Sequence, residues 1–114
     1  WFKNFIFHCW SEDLEYANKL LEFSSDCKIS FSGIVTFKNG KDIAETAKNI
    51  PPKNILVETD SPYLTPDPFR GKEENEPSFT KYILDKIIDL RDEGEDIIRN
   101  QIFQNSLEVF WVRK

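Results

Sequence analysis

Among its 114 residues the chain has no methionine, one histidine, two cysteines and four glycines. Each shortage removes a class of protein. Cys9 and Cys27 are too few for the disulfide scaffold that a small secreted chain would carry. They read as two buried free thiols in the reducing cytoplasm, with a single bridge in a secreted protein as the alternative. One histidine, with no second cysteine at close ligand spacing, argues against a cysteine-rich zinc site. No apolar run approaches the roughly 18–20 residues needed to span a bilayer, so no membrane partner is expected. There is no low-complexity tract, no nucleophile elbow and no glycine-rich phosphate loop. The adjacent His8 and Cys9 cannot converge, because neighbours along a strand point to opposite faces. Positive charge is also short. Lys plus Arg number 15 against 20 Asp plus Glu, for a net charge of −5. That is the reverse of a free-standing nucleic-acid module. With no Met, and an opening on Trp1-Phe2-Lys3-Asn4-Phe5 that resembles no signal peptide, the sequence reads as a piece of something longer.

What is present is enough to fold. Hydrophobic residues make up 39% and charged residues 31%, suited to one domain over 1–114. Short apolar runs alternate with amphipathic ones. Phe5-Ile6-Phe7 predicts a buried strand ending at His8. Ser11 offers a helix N-cap, and Leu14, Ala17, Leu20 and Leu21 have helical spacing over 12–23. From Lys28 to Phe37 the period is two, with a break at Gly33. Asn39 reads as the cap of a helix bearing Ile43, Ala44 and Ala47, which Pro51-Pro52 ends. Ile55-Leu56-Val57 is the next buried strand, closing on Glu58-Thr59-Asp60. A proline-rich loop then runs to Pro77, in the first turn of a helix whose core face is Phe79, Tyr82, Ile83, Ile87 and Leu90. Gly94 separates it from a last helix with Ile98, Ile102, Leu107, Val109 and Phe110.

Strands alternating with helices predict an α/β fold with right-handed βαβ units and a parallel sheet. From His8 to Ser32 is 24 residues, and from Ser32 to Asp60 is 28. A (β/α)₈ barrel of ~250 residues needs about 31 per unit, so the spacing suits a barrel repeat. Three strands cannot close a barrel, which adds to the expectation of a partial domain.

His8 and Asp60 stand out because apolar strands run straight into them. Both would lie at the carboxyl ends of parallel strands, where α/β folds place active sites. With one strand between them they could face one centre, as a metal-ligating imidazole and carboxylate. Equally, His8 could bond backbone at a strand end, and Asp60 could cap or order a loop. Arg70 could grip a phosphate in a bidentate fork and Lys72 add a point charge. The plainer expectation for both is salt bridges to Glu73, Glu74 and Glu76. From Glu58 to Glu76 six acids face two bases, a poor phosphate surface unless metal ions offset it. Trp10 and Tyr63 could stack on a base or simply pack.

These residues also form a pattern. His8-Cys9-Trp10-Ser11, Ile29-Ser30-Phe31-Ser32-Gly33-Ile34-Val35-Thr36-Phe37-Lys38-Asn39 and Glu58-Thr59-Asp60-Ser61-Pro62-Tyr63-Leu64 resemble three successive motifs of the TatD-type metal-dependent deoxyribonucleases. Arg70-Gly71-Lys72 followed by Asn75-Glu76-Pro77 resembles a fourth. The resemblance covers nearly the whole chain. It implies a TIM-type (β/α)₈ barrel of the amidohydrolase kind, of which this chain matches the C-terminal part, strands six to eight. It implies divalent metal ions (Mg, Mn or Zn) ligated by His8 and Asp60, with Asp60 also orienting or deprotonating a water, and DNA as substrate. Tyr63, Arg70 and Lys72 would then meet the DNA. The acidic site would bind metal first, and metal would bind phosphate.

The pattern departs from the family in three places. Trp10 stands where Phe is usual. Two residues, Glu73 and Glu74, separate Lys72 from Asn75 where one is usual. The histidines and glutamate that the family takes from earlier strands are absent. The expected partner is therefore the missing N-terminal half of the barrel, with no other stable protein partner evident; alone, the chain would be inactive or bind metal weakly. A hydrolase of amides or esters, and a structural fragment pairing through its sheet edge, are the alternatives.

Overall fold

The three apolar runs form three parallel strands in the order β1 (Ile6–Phe7), β2 (Lys28–Phe31) and β3 (Ile55–Val57), in a computed structural model that describes residues 5–110. The opening residues 1–4, which hold most of the aromatic start, and residues 111–114 lie outside the described residues. Phe7 pairs with Ile29, and Ile29 with Ile55, so side chains of like parity share a face. Four α-helices follow in chain order: α1 (Leu14–Phe23), α2 (Lys41–Asn49), α3 (Thr80–Leu90) and α4 (Glu95–Phe110).

One face of the sheet packs on the helices. Ile29, Phe31 and Ile55 lie fully buried against Ala17, Ala47, Ile83 and Ile87, with Phe7 and Val57 beside them. Each of the larger side chains, Ile29, Phe31, Ile55, Ile83 and Ile87, contributes about 1.5–3 kcal/mol on burial, which holds strands too short to persist alone. The other face carries Ile6, His8, Ser30, Leu56 and Glu58, and Phe110 from the end of α4 borders the groove above them.

At the amino ends of the strands, polar groups lock the layers together. Asn54 donates from its amide to the Ser25 and Cys27 carbonyls, at 2.9 and 2.6 Å. Asn105 of α4 donates to the carbonyls of Pro52 and Ile55, both at 2.8 Å. Lys28, nearly buried, meets Glu108 at 3.3 Å. Both cysteines are free thiols. Cys27 is buried, and burial pushes its thiol above the usual value, whereas Cys9 is only partly covered, contrary to expectation.

Several boundaries differ from the sequence reading. Helix α1 starts at Leu14, capped by Asp13, whose carboxylate accepts the Tyr16 N–H at 2.9 Å. Ser11 does not cap it, because its hydroxyl donates to the Cys9 carbonyl. Strand β2 ends at Phe31, and Gly33–Thr36 forms a 3-10 turn instead of more strand. A Cβ on Gly33 would sit 1.9 Å from the Leu64 carbonyl oxygen, so the loop after β3 crosses here on bare backbone. Gly40, not Asn39, occupies the cap of α2. On α4 the buried set is Ile98, Ile102 and Asn105, while Phe110 is exposed.

Candidate functional site

The carboxyl ends of β1 and β3 turn sharply. Cys9 and Asp60, just beyond the two strands, both take left-handed backbone angles, with φ of 49° and 57°. Such an angle is costly for Cys9 and milder for Asp60, because aspartate tolerates the left-handed region; non-glycine residues held there concentrate at functional sites. At the end of β1 the turn is held from β3. Glu58 accepts the Cys9 N–H on one carboxylate oxygen at 2.9 Å, and its other oxygen lies 3.8 Å from Nδ1 of His8. Glu58 therefore reaches past the central strand and ties the two outer strand ends together. Glu58 opens one of the motifs in the sequence, but its role is not readable there, since its partners lie 49 and 50 residues away.

His8 projects into solvent, its side chain 79% exposed, with the Glu58 carboxylate as its neighbour. Asp60 is exposed, and among the described residues its carboxylate makes no hydrogen bond or ion pair. Its carbonyl accepts the Tyr63 N–H at 3.0 Å, closing a tight turn that leaves Tyr63 70% exposed. Asn75, buried, clasps that turn. Its amide donates to the carbonyls of Thr59 and Tyr63, each at 2.7 Å, while its own carbonyl oxygen accepts the Glu76 N–H. The Asn-Glu-Pro motif thus does its work as a brace for the loop that bears Asp60 and Tyr63.

Arg70 and Lys72 lie further along the same loop, both exposed. The expected salt bridges to Glu73, Glu74 and Glu76 do not form among the described residues. Instead the Arg70 guanidinium carbon sits 3.7 Å from the centroid of the Phe37 ring. Of the two roles open to Trp10, the structure shows packing. The residue is 4% exposed, edge-on to Phe7 and packed near Tyr16, so it belongs to the core and offers no face to a base. The structure brings His8, Glu58 and Cys9 together and groups Asp60 with Tyr63; no hydrogen bond, ion pair or ring contact among the described residues joins Arg70 or Lys72 to either set.

An exposed imidazole and an unpaired carboxylate at the ends of the two outer strands of one sheet are donors that suit a borderline-to-hard divalent cation. They fit such an ion as part of a ligand set. Catalytic zinc sites, for comparison, use three protein ligands, and among the described residues no cluster of three or more His, Cys, Asp or Glu groups is placed to hold an ion. No helix among those residues is long and apolar enough to cross a membrane.

Comparison with known proteins shows the family of the chain. The profile of the family described as TatD related DNase matches residues 2–111. An uncharacterized metal-dependent hydrolase of Bacillus subtilis, YabD, is 40% identical over 105 residues, covering 92% of this chain and 40% of the relative. A second, MG009 of Mycoplasma genitalium, is 39% identical over 109 residues, covering 93% and 41%. Among solved structures, the TatD homologue YjjV of Escherichia coli superposes with a TM-score of 0.85 at 24% identity, over 96% of this chain and 41% of that one. The chain spans about two fifths of the length of the curated relatives it matches.

Proposed function

The chain belongs to the TatD-related DNase family, and from that premise we propose that it forms the C-terminal part of a (β/α)₈ barrel hydrolase that cleaves DNA phosphodiester bonds. The observation that carries the reading is the shared carboxyl edge. His8 and Asp60 follow the two outer strands of one parallel sheet, and Glu58 links those strand ends. This is the edge where barrel enzymes keep their chemistry.

In this reading His8 and Asp60 are two ligands of a divalent cation, and further ligands come from the N-terminal half of the barrel. The ion, when bound, supplies Lewis acidity that lets water react near neutral pH. Asp60 orients the attacking water and takes its proton as the new oxygen–phosphorus bond forms and the bond to the departing sugar oxygen breaks. Glu58 lies on the Nδ1 side of the His8 ring, 3.8 Å away, so Nε2 would be the nitrogen that meets the ion. Arg70 and Lys72 draw in the phosphate, and Tyr63 offers a ring to a base. The net acidic loop is then a metal-binding surface before it is a DNA-binding one.

The test is a digestion assay on the protein that carries this sequence, with single- and double-stranded DNA and added Mg²⁺ or Mn²⁺. Cleavage that chelation abolishes supports the proposal. Intact DNA alongside hydrolysis of a simple aryl ester or amide would move the reading to a different hydrolase.

A further inference from the structure

Arg70 ignores its nearest acids. Glu73, Glu74 and Glu76 all lie within six residues of it, yet among the described residues it makes no ion pair or hydrogen bond and instead lies on the Phe37 ring. Stacking occupies the flat face of a guanidinium and leaves its N–H edges free, the edges that would grip a phosphate oxygen pair. We propose that Phe37 is the positioning residue for Arg70. The ring fixes the plane of the guanidinium and keeps it from the neighbouring carboxylates, so that a DNA phosphate is met by a preset fork. This inference rests on the phosphate-binding role proposed above.

The surroundings are built for it. Phe37 follows the 3-10 turn at the carboxyl end of β2, its N–H bonded to Ile34 and its carbonyl to Gly40, both at 3.0 Å. Thr36, one residue earlier, accepts the Asp67 N–H at 2.9 Å and so pins the Arg70 loop to the same turn. Phe69, one residue before Arg70, is stacked on Phe79 at 5.1 Å and packs on Tyr82 of α3 at 4.8 Å. The backbone is therefore anchored on both sides of the pair. Lys38, exposed beside Phe37 in sequence, and Lys72 supply two further cations to the same loops.

The experiment measures binding of a fluorescein-labelled, cleavage-resistant phosphorothioate 12-mer in Mg²⁺ by anisotropy, on the protein that carries this sequence. Arg70→Ala should weaken binding about tenfold and flatten its salt dependence by close to one phosphate contact. Phe37→Leu should weaken binding about threefold, Phe37→Tyr should restore it, and Phe37→Leu should add nothing in an Arg70→Ala background. Arg70→Lys, which keeps the charge and loses the flat face, should make binding insensitive to Phe37→Leu. If Arg70→Ala weakens binding while Phe37→Leu does not, or if the two effects add in full, Phe37 does not act through Arg70 and the inference falls. If Arg70→Ala itself changes nothing, the phosphate role of Arg70 falls first and the inference with it.

Discussion

The two ends of the same three strands treat polar side chains in opposite ways. At the amino ends Asn54, Asn105 and Lys28 are buried, and each spends its donors on carbonyls or a carboxylate of another element. At the carboxyl ends His8, Asp60, Tyr63 and Arg70 are exposed, and their polar groups are held in place while left largely unbonded. Buried donors left unbonded cost the fold stability, and those of Asn54, Asn105 and Lys28 are bonded, so the first set reads as architecture, although the Asn54 side-chain oxygen has no partner. Side chains braced from behind with free reactive atoms read as chemistry. The bracing residues at the reactive end are Glu58, Asn75 and Phe37, and none of them need touch the reacting atoms.

Substitutions at the two ends should therefore separate activity from stability. The largest effect is expected from Asp60→Asn, which keeps shape and removes the charge. Metal-dependent DNA cleavage should fall by on the order of 10²–10⁴, with an unchanged far-UV circular dichroism spectrum. Retained cleavage would remove Asp60 from the mechanism. Next is Asn54→Ala at the opposite end, which strands the buried Cys27 carbonyl and removes the bond to Ser25. A loss of roughly 1–3 kcal/mol in denaturant unfolding is expected, with turnover per folded molecule unaltered. A drop in turnover with unchanged stability would break the division between the ends. Glu58→Gln keeps an acceptor for the Cys9 N–H but removes the charge facing His8. Metal affinity should weaken by about tenfold while the melting temperature holds; a lower melting temperature with unchanged affinity would make Glu58 a purely structural tie.

The smallest effect lies away from both ends. Glu93 accepts two hydrogen bonds from Arg91, and that contact holds its carboxyl below the usual 4.5. A depressed carboxylate contributes stability above its unfolded value, and the contribution fades as pH falls through the folded one. Glu93→Gln should cost less than about 1 kcal/mol at pH 7 and nothing well below pH 4, read from unfolding curves at the two pH values.

How far the sequence revealed the structure depended on the distance over which each residue acts. The placement of His8 and Asp60 just beyond two strands was legible because an apolar run stops at each, a local signal. The helix after Pro77 and the end of α2 before Pro51-Pro52 were legible for the same reason. Asp13 and Ser11 are both good caps, and the choice between them was made by the Cys9 carbonyl, which claims the Ser11 hydroxyl. Strand β2 was read too long because its end is set by the Leu64 carbonyl crossing Gly33, some thirty residues on. Asn105 sat among apolar helix positions with no hint that two carbonyls 50 and 53 residues back awaited it. Glu58 and Phe37 lie in motifs of the sequence, yet their partners were not legible, each being far along the chain.

The central claim is that the carboxyl ends of β1 and β3 hold the metal. Its most direct test is Mn²⁺ binding, followed by the electron paramagnetic resonance signal of the free ion, on the protein that carries this sequence and on three variants. His8→Ala and Asp60→Asn should each weaken binding by about tenfold or more, while Asn54→Ala leaves it at the level of the parent protein. Parent-level Mn²⁺ binding in both His8→Ala and Asp60→Asn would contradict the account.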